Sequence, residues 1–315
     1  MDYRKTAWLL FLCLLTGCGR APAGAVRTPE PVPAVYSRSE LTAAAADMLM
    51  HSETSLTVLI PPELSGNAET CIRAAQSRSV LCRMMLDTVS WSRSGRCLTL
   101  TAAYTEPADA VREKKDAVSR YAAEWAETSA GFPPAVRVLL AHELLCNDCS
   151  FSETAPDGHS AYGALIGHAA CCAGFAEAFA VLMEAVEIPV SIVTGTAADG
   201  TAHAWNLVML SGCRYHVDCT WDSTSGNPHG CFLRDDSAMR QTHAWDTAVY
   251  PAAAGGSLRY ETVVQQMQDA VFPSAFQTRK SVSFDSGILS EAASQNLSAV
   301  SYKIHDKSAR NSPDN

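Results

Sequence analysis

Two neighbouring stretches decide the fold: CCAGFAEAFAVLMEAVEIPVSIVTGTA at 171–197 and HAWNLVMLSGCRYHVDCTWDS at 203–223. In the first, Phe175, Phe179, Leu182 and Val186 fall on one stripe with the period of a helix. That helix opens straight after two cysteines, so Cys172 lies in its first turn. IPVSIVTGTA, HAWNLVML and RYHVDCTW then read as three strands, the last two joined at Ser211-Gly212. One helix followed by three successive strands implies an α+β fold, with the helix packed on an antiparallel sheet.

The loop length sets the register. A two-residue turn at Ser211-Gly212 pairs Leu210 with Cys213, and continuing the ladder puts His203 opposite Thr220 and Trp205 opposite Asp218. His203 and Asp218 become diagonal neighbours on one face, about 7–8 Å apart. A three-residue loop would send Asp218 to the other face. Cys172, at a helix start, gains from unpaired backbone N–H groups and the positive end of the dipole, both of which favour a thiolate. Together the three residues suit thiol-dependent acyl transfer. Cys172 would attack an amide carbonyl, His203 would return the proton to the leaving amine, and Asp218 would orient the ring. The Cys172 backbone N–H would face the oxyanion, with Tyr162 as a second donor. Gly174 would leave the backbone beside the thiol uncovered, and Trp205 and Trp221 would wall the cleft. Asn206, of opposite parity, reads as a residue pinning backbone. Each residue also has a structural reading: Cys172 as a core or disulfide-bonded thiol, His203 as a satisfied strand histidine, Asp218 as a cap near Thr220. Cys171 competes with Cys172 as the nucleophile.

At these residues the chain resembles the bacterial transglutaminase-like superfamily. The motifs that carry the resemblance are the Cys-x-Gly-aromatic start at 172–175, HAWN at 203–206 and YHVDCTW at 215–221, with HSAYGAL at 159–165 and FLRDDSAMRQTHAWD at 232–246 as weaker matches. The resemblance implies a papain-like α+β core with Cys172, His203 and Asp218 as a catalytic triad and no cofactor. It departs at Phe175, where Tyr is common, and at Cys171, where an apolar Val is usual. The superfamily includes crosslinking enzymes, peptidases and amidases, so the resemblance points to chemistry more than to substrate. A peptide or protein substrate, such as cell-wall peptide, follows from it. The alternative is a non-catalytic cell-surface module that binds peptide or glycan on the same scaffold.

The N-terminus carries a different message. MDYRK is a short basic segment, TAWLLFLCLL at 6–15 is a ten-residue apolar run, and LTGC at 15–18 ends in cysteine. The run is too short to span a bilayer and suits a signal peptide. LTGC resembles the lipobox of bacterial lipoproteins, which implies removal of 1–17 and lipidation of Cys18. The expected site of action is then the extracytoplasmic face of the cell membrane, with membrane contact through the lipid anchor alone. The formal charge is −9, and loss of Asp2, Arg4 and Lys5 leaves the remainder one unit more acidic. With no basic patch, nucleic acid is a poor partner.

The expected layout is a signal peptide at 1–17, a Pro- and Ala-rich tether at 18–40, a helix-and-strand region at 41–135, the catalytic core at 136–250, a helix-and-strand extension at 251–302 and a polar tail at 303–315. ETCIRAAQSRSVLCRMMLDTV at 69–89 reads as helix, and SETAPDGHSAYGALIGH as loop. The chain has 12 cysteines; those that remain beyond Cys13 and Cys18 cannot all pair if Cys172 is a free nucleophile. HELLCNDC at 142–149 lacks the second histidine of a zinc protease. A local Cys146–Cys149 bridge, two free thiols or part of a closed zinc site all fit it, and an extracytoplasmic setting favours the bridge. No metal is expected. His216 and His243 read as structural.

Overall fold

The computed structural model describes residues 32–271. The stretches expected to be a signal peptide, a lipidated Cys18 and a polar tail, with most of the expected tether and most of the expected C-terminal extension, lie outside the described residues. In chain order the elements are α1 (Arg38–Met50), β1 (Ser55–Leu59), α2 (Ala68–Gln76), α3 (Val80–Arg83), β2 (Leu86–Ser94), β3 (Cys97–Tyr104), α4 (Ala108–Ser129), α5 (Pro134–Asp148), β4 (Ser150–Phe151), α6 (Ala161–Leu165), β5 (Ala169–Ala170), α7 (Cys172–Ala185), β6 (Val190–Ala197), β7 (Ala202–Leu210), β8 (Cys213–Val217), α8 (Cys219–Thr224), α9 (Asp236–Met239), β9 (His243–Trp245) and α10 (Tyr260–Val271).

Two antiparallel sheets organise these elements: a three-stranded sheet in the order β1-β3-β2 and a four-stranded one in the order β8-β7-β6-β9. The architecture is mixed α+β, as the helix-then-strands pattern implies. Central strand β7 is buried at Ala204, Trp205, Asn206, Leu207 and Val208 in succession, because both its faces are covered. On one face Val208 joins Phe175, Phe179 and Leu182 of α7 in the main core. On the other, Trp205 and Leu207 pack with Val193 and Met239. The turn is the two-residue one: Leu210 pairs with Cys213 and Asn206 with Val217. Ser211 and Gly212 both have positive φ, the type I′ geometry that matches strand twist.

Four expectations are corrected. The tether does not reach residue 40: Ala34 bridges Leu59, Val35 is buried and α1 starts at Arg38 behind the Ser37 cap. The boundary at 135/136 does not divide a core, because Val118, Tyr121 and Trp125 of α4 pack in the same cluster as Phe175 and Phe179 of α7. The helix read over 69–89 is two helices, and Leu86 already begins β2; Gly95, at φ +60°, turns β2 into β3. The loop before Cys171 contains α6, capped by Ser160.

Candidate active site

The site forms where the start of α7, strand β7 and the end of β8 converge. β8 stops at Val217, earlier than the sequence reading implied, and Asp218 becomes the N-cap of α8. The carboxylate therefore does two jobs that looked like alternatives. Its Oδ1 accepts the Trp221 backbone N–H at 2.9 Å, capping the helix. Its Oδ2 accepts the Nε2–H of His203 at 2.7 Å. The diagonal strand pairing is not formed, yet His203 and Asp218 meet because the cap turns the carboxylate back over β7.

A second imidazole reaches the same oxygen. His243, on edge strand β9, donates Nε2–H to Asp218 Oδ2 at 3.0 Å, and its Nδ1 faces the Thr242 hydroxyl at 2.8 Å. Burial of Asp218 opposes its charge, but the hydrogen bonds from His203 and His243 outweigh that and hold its pKa at about 2. By sequence order alone His243 reads as structural. The signal that marks it is a repeat: HAW at 203–205 recurs at 243–245. The two copies flank β6, where Gly195 pairs with both His203 and Trp245. A Cβ on Gly195 would come within 2.1 Å of the Ala244 carbonyl oxygen and 2.9 Å of the Trp205 ring, so the two copies can close on β6 only across a glycine.

With Nε2 committed to Asp218, His203 keeps Nδ1 for a proton. Its ring stacks on Trp205, centroids 6.0 Å apart, and meets the edge of Trp221 at 6.2 Å. Trp205 is fully buried and its Nε1–H donates to His216 Nδ1 at 3.0 Å, so it backs the histidine from the core. Trp221 is the partly exposed one and also borders a depression of about 420 Å³ lined by Arg234, Gln241 and Thr242. Asn206 pins backbone as expected, with Nδ2–H donating to the Ala176 carbonyl at 2.9 Å.

The two cysteines differ in surroundings. Cys171 is the N-cap of α7 and Cys172 its first residue. Cys171 is buried, with its sulfur 3.1 Å from His159 Nδ1, an imidazole the sequence reading passed over. The backbone N–H groups of Ala204, the residue after His203, and of Ala173 point at the half-buried Cys172 sulfur, but the hydrogen bond to Cys171 and burial outweigh them. The two adjacent thiols titrate as one unit. Cys172 donates to Cys171, whose pKa falls to about 5, first through that hydrogen bond and then through the N–H groups of Gly174 and Ala173 and the charge of His159. The same bond, with burial, pushes the Cys172 thiol up. The pair therefore shares one proton, and the hydrogen bond between the sulfurs favours a single negative charge on the two together.

Gly174 sits differently from expectation. A Cβ on Gly174 would meet the Gly158 carbonyl at 2.3 Å, Ala170 Cβ at 2.8 Å and the Ser160 carbonyl at 2.9 Å. The glycine lets α7 seat against the 158–160 turn rather than opening the thiol to substrate. Tyr162, on α6, has its ring under the Lys114 ammonium at 5.5 Å. Among the described residues three groups bring potential metal donors within 4.8 Å: His203, Asp218 and His243; His142, Cys146 and Cys219; and His142, Glu143 and His229. In the first, both imidazole Nε2 atoms are already spent on one carboxylate oxygen.

Residues 121–221 match the family model described as Transglutaminase-like superfamily. The fold is transglutaminase-like. No curated protein matches the chain. Among solved structures, a protein described as a TGase is 16% identical, with 53% of this chain and 50% of that chain covered and a TM-score of 0.27; the match thus spans half that protein's length. A putative cysteine protease from Cytophaga hutchinsonii is 14% identical, with 54% and 71% covered and a TM-score of 0.30. Both likenesses are too loose to place individual residues. The transglutaminase-like match covers α7, β6, β7, β8 and the first turn of α8, and leaves out β9 with His243. Among the described residues no helix is long and apolar enough to cross a membrane.

Proposed function

We propose that the protein is a thiol-dependent acyl-transfer enzyme acting on amide bonds of peptide or protein, with Cys172 as nucleophile, His203 as proton carrier and Asp218 as its orienting carboxylate. The observation that carries this is the His203–Asp218 pair: a buried, doubly hydrogen-bonded carboxylate fixes the Nε2–H tautomer and leaves Nδ1 as a base beside the chain that meets the Cys172 thiol. Cys172 loses its proton to His203 and attacks the carbonyl carbon. The tetrahedral intermediate collapses to a thioester as His203 returns the proton to the departing amine. Water or an amine then takes the acyl group.

The setting is part of the same proposal. Residues 1–17 are a lipoprotein signal, Cys18 carries the lipid, and the enzyme works at the extracytoplasmic face on cell-surface or extracellular peptide, cell-wall peptide included. Intact mass of the membrane-extracted protein reads this as loss of 17 residues plus acyl mass; a soluble form starting elsewhere contradicts it.

One observation favours the non-catalytic, peptide- or glycan-binding reading: the sulfur that lies against an imidazole at 3.1 Å is that of Cys171, beside His159. A substoichiometric thiol-reactive amide-donor probe decides between them. Rapid acylation at Cys172, slowed in His203→Ala, supports the enzyme. Acylation at Cys171, or slow labelling spread over exposed thiols and indifferent to His203, refutes the assignment. Repeating it with and without a primary amine separates hydrolysis from amine transfer.

A further inference from the structure

The second cluster lies between α5 and α8. His142 and Cys146 are one turn apart on α5, Cys219 and Asp222 one turn apart on α8, and the two helices pack together. The Cys146 and Cys219 sulfurs lie within 4.8 Å of each other, and the Cys146 thiol is 3.4 Å from the Cys219 carbonyl oxygen. His142 is fully buried. Its Nε2 is 3.0 Å from Asp222 Oδ2 and its Nδ1 3.5 Å from Glu143 Oε1, while the Cys146 sulfur rests 3.6 Å from Nε2 and 3.9 Å from Nδ1.

Both ring nitrogens therefore face carboxylates. Burial opposes a charge on this imidazole, but the Cys146 sulfur and the carboxylates outweigh it and raise its pKa well above the ordinary value, which favours the protonated ring over one offering a lone pair to a metal. The two sulfurs are also unequal. Cys146, half-buried, is drawn down to about 6, first by the hydrogen bond from Cys219 and then by the His142 charge. Cys219 is buried and its thiol is pushed up, by burial first. A partly exposed thiol against an imidazole, within 4.8 Å of a second, buried thiol on a neighbouring helix, is the arrangement that attacks a disulfide and then resolves the product.

We propose that Cys146 and Cys219 are a disulfide-forming pair that reacts with low-molecular-weight disulfides and staples α5 to α8. The Cys146 thiolate attacks one sulfur of the external disulfide, forming a mixed disulfide and releasing one thiolate. That thiolate takes the proton of Cys219, whose sulfur attacks the Cys146 sulfur and expels the second thiolate. Two protein thiols are oxidised, and one external disulfide is reduced to a thiol and a thiolate. The staple lands one residue after Asp218, so it anchors the helix start that presents this carboxylate to His203. It is a different link from the Cys146–Cys149 bridge that the sequence suggested. Cys149, raised to about 12 by burial, turns towards its neighbouring Ser150 carbonyl at 3.8 Å. The proposal stands apart from the acyl-transfer reading and survives its failure.

The test uses the full chain, purified reduced. It is incubated with oxidised glutathione at about pH 7.5, acid-quenched, alkylated and peptide-mapped. The expected product is a Cys146–Cys219 crosslink with no glutathione retained. Closing a loop between cysteines 73 positions apart raises the thermal midpoint by roughly 5 °C, and dithiothreitol reverses both changes. Cys149→Ser crosslinks as wild type does; Cys146→Ser does not. The wild-type map decides the matter even if that variant folds poorly. Stable glutathione on Cys146, a Cys146–Cys149 crosslink, or both thiols alkylated while other thiols oxidise each overturns the proposal. So does stoichiometric zinc that co-purifies and shields the pair until chelated.

Discussion

Helix α8 serves two imidazoles with two carboxylates one turn apart. Asp218, at its cap, holds His203; Asp222, within it, holds His142. The Cys146 sulfur lies against the second histidine, and the Cys172 sulfur meets the backbone N–H of Ala204, the residue after the first. By residue type the two clusters are the same. They differ in what is left over. His203 spends one nitrogen on its carboxylate and keeps the other, at a site open enough that its side chain is 9% exposed. His142, 1% exposed, has a carboxylate at each nitrogen. A proton carrier needs an uncommitted lone pair and a route for substrate; a fixed cation needs neither. The comparison teaches that a Cys-His-Asp set acquires its chemistry from the unspent nitrogen.

The largest effect should separate the clusters outright. Cys172→Ala should lower acyl transfer by about 10³-fold or more. Cys146→Ala, measured per folded molecule, should stay within roughly twofold. Steady-state rates with a peptide-amide donor check both. Equal losses in the two variants would erase the distinction drawn here.

Next come the carboxylates. Asp218→Asn keeps the shape but cannot fix the His203 tautomer, so kcat should drop about 10²-fold or more with little change in KM. Asp222→Asn removes a charge from beside a buried imidazole and should cost stability, about 3 kcal/mol, while the folded fraction keeps its rate. Denaturant midpoints measured beside kcat distinguish the two patterns.

How much of this was legible in the sequence depends on how local the signal is. The helix at 172, the hairpin turn and the strands around it follow from periodicity and from one Ser-Gly pair, both short-range. The meeting of His203 with Asp218 follows equally from a longer β8 and from a cap at Asp218: strand and cap give the same proximity, and parity alone cannot tell them apart. His243 and His159 are long-range partners, brought in by an edge strand and by the turn before α7; the HAW repeat marks the first, and no spacing rule places either beside His203 or Cys171. The Cys146–Cys219 approach is of the same kind, since two helices far apart in sequence must dock before the sulfurs meet. Gly174 was read for its missing side chain in the wrong direction: the space it leaves is filled by the 158–160 turn.

Acid should sharpen the comparison at the level of stability. Asp218 has its pKa depressed to about 2 in the folded protein, against about 3.9 for an unperturbed aspartate. A depressed carboxylate contributes stability that is fully present above the unfolded value and lost as pH falls through the folded one. Asp218 should therefore add about 2 kcal/mol above pH 4, fading by about pH 2. Glu143, also held at about 2, by hydrogen bonds from His142 and His229 against the cost of its burial, should act in the same window from the second cluster. Urea melts between about pH 2 and 5 should show a shallower slope in Asp218→Asn and in Glu143→Gln than in wild type. An unchanged slope in Asp218→Asn would mean that its carboxylate is not held by the two imidazoles.

The smallest effect tests whether Asp218 needs both of its histidines. His243 touches no reacting atom in the proposed chemistry; it is a positioning residue that donates to the oxygen His203 also uses. Removing it leaves that oxygen with one donor in a fully buried place, so the carboxylate should titrate at a higher pH and hold His203 less firmly. His243→Ala should lower kcat about tenfold with KM nearly unchanged, and the acid limb of the pH–rate profile should move up. His243→Gln offers an N–H towards Oδ2 and should recover part of the rate and return the acid limb towards wild type. A residue that merely filled space between Trp205 and Trp221 would respond otherwise: His243→Phe would then serve as well as Gln, and neither variant would move the profile. Rates across pH for the three variants therefore decide whether the second HAW segment supports the first through a hydrogen bond or only through packing.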